Sequence, residues 1–317
     1  MLKNYIFKRF VIAVAFLFSI FLIYLTPNKE FIFKTELNYI DTKDKSVIYL
    51  LDQNNYVART KIRTYNRKIE AKAKELINAL IKDGENEENI PNGFKSIISS
   101  ETKINSIKFE NNLIKIDFSS ELLDIKIDYE EKMIEAIVYT LTSIEGVDKV
   151  IIYVDGDILT KLPKTGITLP STLDKSYGIN KEYDIKSYKD IDKVTIYYAS
   201  KYNDDTYYVP VTKYLNDKRD KIKIIVDELS SSNISNTNLM SYLNSNTVLL
   251  SSDLNDDAMM LVFNQYIFND LGTKSILEEV IYTISLSVDA NYSVKEVLFN
   301  VNNEEIYKSV IKSTWNI

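Results

Sequence analysis

Asp117 and Glu121 share one short stretch, Ile116-Asp117-Phe118-Ser119-Ser120-Glu121-Leu122. A pair of carboxylates is what glycoside hydrolysis requires, so these two are the candidates for chemistry on a wall polysaccharide. The rest of the composition argues the other way. The chain contains no histidine and no cysteine, which removes the Ser-His-Asp triad, the Cys-His nucleophile pair and the ordinary zinc site together. With 45 Asp and Glu among 317 residues, neighbouring carboxylates arise by chance, and no single one carries weight. The chain therefore reads as a non-enzyme with no cofactor and no metal site.

Other motifs lose their chemistry on inspection. Asp253-Leu254-Asn255-Asp256-Asp257 has the letters of a calcium loop, but Ala258 stands where an EF-hand needs glycine and Asn264 where it needs a bidentate glutamate. Leu162-Pro163-Lys164-Thr165-Gly166 spells a sortase sorting signal, yet a whole further domain follows it in place of an apolar span and basic tail. Arg59, Lys61, Arg63, Arg67, Lys68, Lys72 and Lys74 make a basic stretch that suits anionic lipid, a wall polymer or an acidic partner. The favoured reading is plainer, the solvated face of an amphipathic helix, because Lys72 and Lys74 avoid the apolar stripe. A net charge of -6 argues against nucleic-acid binding.

The elements that must position these residues follow from periodicity. Ser46 to Leu51 and Tyr56 to Lys61 read as strands about the turn Asp52-Gln53-Asn54-Asn55. Ile69, Ala73, Leu76, Ile77, Leu80 and Ile81 recur at helical spacing, up to Asp83-Gly84. Thr102 to Phe109 and Leu113 to Phe118 alternate about Asn111-Asn112 as a second hairpin. A second helix carries Met133, Ile134, Ile137, Val138 and Leu141, and the strand Lys149 to Val154 turns at Asp155-Gly156. That order is α+β. Leu162 to about Asp190 lacks a period and reads as a linker, or as a strap packed across the first domain.

The pattern then restarts. Ile48-Tyr49-Leu50 matches Ile196-Tyr197-Tyr198, and Val147-x-x-Val150 matches Val294-x-x-Val297 at a lag of 147 residues. Strands are expected near Val194 to Ala199 and Tyr207 to Lys213, with a helix through Ile222, Ile225, Val226 and Leu229. By letters, Tyr139-Thr140 pairs with Tyr282-Thr283, and Ser230 to Asn246 reads as a long loop.

At the amino end, Phe10 to Leu25 is an apolar run behind Lys8 and Arg9, with Phe10, Val11, Leu17, Phe18, Ile20, Leu22 and Leu25 as its anchoring residues. At sixteen residues it is slightly short of the roughly 17 to 25 that a spanning helix uses, so it borrows its flanks. Bulky Leu22 to Leu25 give no small-residue cleavage site, so an uncleaved signal anchor is expected, with the first nine residues cytoplasmic and the bulk of the chain outside.

Ile90-Pro91-Asn92-Gly93, Lys103-Ile104-Asn105-Ser106-Ile107, the Asp117-Phe118-Ser119 strand end, Val154-Asp155-Gly156 and Leu169-Pro170-Ser171-Thr172-Leu173 together resemble the GerMN module of GerM-type sporulation and spore germination proteins. The second copy resembles it in part, with Leu261-Val262-Phe263-Asn264 and Asn302-Asn303 in place of the corresponding motifs. The chain is then expected to divide into a cytoplasmic stub and single transmembrane helix (1–30), a stalk (31–45) and a linker or strap (162–191), read from the residues, around the two tandem α+β domains that the resemblance implies, a first GerMN-like domain (46–161) and a second, divergent one (192–317). Such domains are related to ring-building motifs that pack side by side through helix and sheet faces. Family members are typically lipoproteins, whereas this chain has no cysteine to acylate. The function expected is that of a membrane-anchored extracytoplasmic assembly protein, a homo-oligomer or a partner of other envelope or sporulation-complex proteins. The alternatives are an accessory subunit of a membrane sensor or transporter and the carboxylate enzyme.

Overall fold

The computed structural model describes residues 45–231, 238–302 and 304–310. The run from Phe10 to Leu25 and the stalk lie outside them, and among the described residues no helix is long and apolar enough to cross a membrane.

One order of elements occurs twice. The first module runs β1 (Lys45–Asp52), β2 (Val57–Arg63), α1 (Ile69–Leu80), the short β3 (Phe94–Lys95), β4 (Ile104–Glu110), β5 (Leu113–Phe118), α2 (Ile127–Leu141), β6 (Lys149–Val154) and β7 (Asp157–Ile158). After a connecting segment that holds β8 (Glu182–Asp184), the second runs β9 (Asp192–Tyr202), β10 (Asp205–Leu215), α3 (Lys221–Ser230), β11 (Leu249–Asn255), β12 (Ala258–Phe263), α4 (Glu278–Tyr292), β13 (Glu296–Val301) and β14 (Glu304–Val310).

Each module is a hairpin, a helix, and a four-stranded sheet whose middle strands are parallel and joined through a helix. In the first, β4-β5-β6-β7 are neighbours and α2 crosses from β5 to β6; in the second, β11-β12-β13-β14 repeat the order around α4. Parallel neighbours need such a crossover, which is why the second helix of each copy must exist. The equivalence reaches single hydrogen bonds. Lys103 and Ser119 exchange bonds (backbone N–H to Oγ 2.9 Å), as Val248 and Asn264 do (to Oδ1 3.1 Å). Both β4 and β11 carry a bulge at matching places, Ile104/Ser106 and Leu249/Ser251.

With seven glycines in the chain, asparagine and aspartate make the turns. Asn55, Asn111, Asn112, Asp155, Asn203, Asp256 and Asn302 all take positive φ at strand connections, a conformation their short polar side chains tolerate.

Three expectations are corrected. Helix α1 stops at Leu80, before Asp83-Gly84, because Ile81 becomes extended and pairs with Ile98. The segment after Ser230 is not all loop: residues 232–237 lie outside the description, but Met240 exchanges both backbone bonds with Ala199 and Leu239 is buried. The helical letter match is displaced by a turn. Thr140 on α2 accepts the Tyr49 N–H at 3.0 Å, and the residue that serves Tyr197 in the same way, at 2.8 Å, is Ser287 and not Thr283. The register of 147 residues that closes the modules also governs their helices.

The connecting segment is a strap. Leu162, Leu169, Leu173 and Ile179 are buried in the first core, and Leu173 pairs with Val150 of β6. The sortase-like letters form a turn, in which Gly166 takes φ +74° and its N–H donates to Leu162 O at 3.0 Å. Buried Glu130 on α2 pins that turn by accepting the N–H groups of Lys164 (2.9 Å) and Thr165 (2.6 Å). Glu130→Ala leaves two donors without this acceptor, so a loss of about 2–3 kcal/mol in urea unfolding is expected, while Lys164→Ala, which keeps its backbone N–H, costs far less.

Candidate functional site

The place where the two copies meet is the most elaborate polar construction in the molecule. Hairpin β1–β2 joins hairpin β10–β9 edge to edge, β2 antiparallel to β10 at Arg59 and Tyr208. The modules thus share a six-stranded sheet and are joined edge to edge by strands, where the family resemblance implied packing through helix and sheet faces. Ala58 of β2 is counted in the second module's core, so even the apolar layer crosses the boundary.

Equivalent tyrosines face each other across this join. Tyr49 on β1 and Tyr197 on β9 are both buried, each tied by its N–H to its own helix, and their phenol oxygens meet at 2.7 Å. Burial raises both phenols above the usual range, so the pair stays protonated and one hydroxyl donates to the other. The Tyr49 ring also meets Tyr139 edge-on at 5.3 Å.

Pro210 weakens the strand pairing, because it has no N–H to donate. The strap fills the gap. Asn180, at φ +46°, sends its Nδ2 to Val57 O (2.9 Å) and Pro210 O (2.8 Å) while its Oδ1 accepts the Val57 N–H (2.9 Å). Its own N–H donates to buried Glu135 on α2 at 2.9 Å. Beside it, Ile179 and Thr212 exchange two bonds, at 2.8 and 3.0 Å. At the other end of the join, buried Asp52 accepts from Asn54 N, Tyr56 N and the Tyr207 hydroxyl, the last at 2.9 Å. Burial raises this carboxyl, against the hydrogen bonds from Tyr56 and Tyr207. The backbones come so close here that a Cβ on Gly93 would lie 2.5 Å from the Tyr202 ring.

A cleft of about 750 Å³ opens over the tyrosine pair, between the carboxyl ends of α2 and α4. Tyr49, Tyr197 and Thr195 line it together with Arg59, Lys193 and Asp289, a wall of mixed charge.

This tandem architecture has known counterparts. The Germane family, described as sporulation and spore germination, matches residues 47–160 and again 195–307. The chain belongs to this GerMN-domain family. The spore germination protein GerM of Bacillus subtilis is 32% identical over 263 residues, which is 81% of this chain and 71% of that one. The solved tandem GerMN domains of the sporulation protein GerM from Bacillus subtilis superpose with a TM-score of 0.75 at 29% identity, over 83% of this chain and 92% of theirs.

On the GerMN fold, the carboxylates proposed from sequence have different surroundings. Asp117 accepts the Gly156 N–H at 3.1 Å and so braces the β6–β7 turn, while Glu121 lies exposed in the 3-10 turn after β5, lowered by its hydrogen bond from Ser119. Neither lines the cleft. In the calcium-like letters, Asp257 pairs with Lys295 at 2.6 Å and Asp253 accepts from Asn255. Of the seam residues, Tyr49 and Tyr197 were visible as matched letters of the repeat. Asn180 and Glu135 carried no local signal, because each acts on backbone far away in sequence, and Asp52 was legible as a turn residue but not as the partner of the Tyr207 hydroxyl.

Two consequences can be measured. Tyr49→Phe and Tyr197→Phe each leave a buried hydroxyl without its partner and are expected to cost about 1–2 kcal/mol in denaturant unfolding, whereas the double variant costs little more than either alone. Additive losses would show that the hydroxyls do not depend on each other.

Burial pushes Glu135 up to about 7, opposed by the Asn180 N–H and by Lys181 and Lys132, and reinforced by Glu131. The folded chain then holds a proton that the unfolded chain releases. Stability is full below the ordinary carboxylate range and is lost as pH rises through about 7. Glu135→Gln, which keeps an acceptor for Asn180, is expected to gain about 1–3 kcal/mol over the wild type above neutral pH and nothing in the acid range. Urea titrations across pH check this.

Proposed function

We propose that this chain is a non-catalytic assembly protein of a sporulation or germination complex, anchored in the cell membrane by the helix from Phe10 to Leu25 with its GerMN modules extracytoplasmic. The observation that carries the reading is the seam. Its buried Tyr49, Tyr197, Asn180, Glu135 and Asp52 are engaged in joining two copies of one module, which makes the pair a single block with its outer surfaces at fixed separation. A block of that kind suits simultaneous contact with two neighbours, either other proteins of the envelope complex or further copies of the chain. The relationship to GerM of Bacillus subtilis supports the sporulation setting. The basic flank before the apolar run, and the lack of a small-residue cleavage site after it, support an anchor that stays in place.

Genetic complementation separates this reading from the enzyme. In a strain lacking the chain, the yield of heat-resistant or germination-competent spores is expected to drop and to be restored by the wild type. Asp117→Asn combined with Glu121→Gln is expected to restore it equally, and a chain without residues 1–30 to fail. Failure of the carboxylate variant at normal protein level would overturn the non-catalytic reading; full rescue by the truncated chain would overturn the anchor.

A further inference from the structure

The two copies differ most where β2 leads into α1 and β10 into α3. In the second copy four cations at this corner are in ion pairs, while Lys186, Lys189 and Lys223 are not paired with a described residue. Lys213 pairs with Glu228 (2.6 Å) and Glu182 (3.7 Å), and Lys218 with Asp190 (2.9 Å). Arg219 pairs with Asp217 (2.7 Å) and Asp227 (2.5 Å), and Lys221 with Asp192 (3.8 Å). The N-cap of α3 is Asp220, whose carboxylate accepts the Ile222 N–H.

The first copy has the same corner with opposite chemistry. Lys45, Arg63, Arg67 and Lys68 are exposed there, and none is in an ion pair with another described residue. Lys45 and Arg63 are partners in the β1–β2 register. The N-cap of α1 is Lys68, with no side-chain bond to the helix. Glu75, the acid beneath, is turned inward: it accepts the N–H groups of Tyr65 (2.9 Å) and Asn66 (3.2 Å) and the Asn66 side chain. That holds the loop so that Tyr65 stands 71% exposed among the cations. In a chain of net charge -6, four exposed cations around an exposed tyrosine, with Glu70 as the acid of the first helical turn beside them, make a net basic, anion-facing surface.

We propose that this corner lies on the anionic headgroups of a lipid bilayer. Lys45 follows Leu25, the end of the apolar run, by 20 residues, so this corner is the part of the fold nearest to the run in sequence and stays within about 70 Å of it. Unpaired Lys and Arg beside an amphipathic tyrosine are the residue types that rest at a bilayer surface. The first module therefore faces the bilayer, and the second, with the matching cations Lys213, Lys218, Arg219 and Lys221 in ion pairs, faces away. The inference rests on the anchoring proposed above.

The absence of cysteine makes the test direct. Full-length chain with Glu70→Cys, beside the patch, is labelled with a fluorophore and reconstituted in phosphatidylcholine bilayers with and without about 30 mol % phosphatidylglycerol. A headgroup-borne quencher is expected to act on the label in the anionic bilayer alone. The effect should vanish in about 0.5 M salt. It should also vanish in Arg63→Ser/Arg67→Ser/Lys68→Ser and survive in Arg63→Lys/Arg67→Lys, since lipid reads charge. A label at Asp256→Cys, in the second module, should stay unquenched. Equal quenching in both bilayers, or quenching unchanged by the triple Ser variant, would overturn the proposal. Alkaline extraction of the same samples reports the anchor separately. If it releases the chain, flotation of unanchored protein with the two vesicle types decides: the triple Ser variant should bind anionic vesicles about a hundredfold more weakly, and equal binding would overturn the proposal.

Discussion

Everything in this molecule turns on how two sheet edges are joined where one of them contains a proline. An edge strand presents a row of backbone groups that must find partners, and Pro210 interrupts the row at the centre of the join. The answer is a single asparagine. Its side chain has two donor hydrogens and an acceptor oxygen, and all are engaged with backbone of β2 and β10. Aspartate at this position would lack the donors and add charge beside Glu135. Other uncharged residues would lack the acceptor, the donors or the tolerance for φ +46°.

The strap is therefore part of the join. A duplication alone would bring two hairpins together with a defect between them; the segment that follows the first copy returns to repair it. Its path is secured at several points, by Glu130 at the sortase-like turn, by Leu173 on β6 and by Ile179 with Thr212 at the seam. The burial of Glu135 follows from this arrangement. It must accept the Asn180 N–H from inside the core, and its raised proton affinity comes from being placed there.

How much of this could be read from sequence divides by range of interaction. The hairpins, the helical faces and the double order of elements depend on local turn chemistry and periodicity, and they were legible. So were Tyr49 and Tyr197 as matched positions. The helix register was not. Displacement by four residues rotates a helix by little more than one turn, so Thr283 and Ser287 lie on nearly the same face, and apolar periodicity cannot choose between them. Only the distant Tyr197 N–H makes the choice. Of the letters that looked functional, Asp117 and the sortase-like turn hold local structure and Glu121 is exposed. Glu135 and Asn180 looked ordinary because their partners are tens of residues away, and Asp52 showed only its part in the local turn.

Identity of skeleton makes the difference between the copies informative. Both bulges, both crossovers and both strand-to-helix hydroxyl contacts persist, so the fold imposes no reason for one corner to be crowded with acids and the other to hold few of them. Ion pairs at a surface contribute little to stability, and neither corner needs its arrangement in order to fold. What the arrangement changes is the field. The shared sheet holds the two corners in one block, so their different treatment gives a nearly symmetric scaffold a direction: a cationic side at the start of the first module, and an ion-paired side beyond the seam.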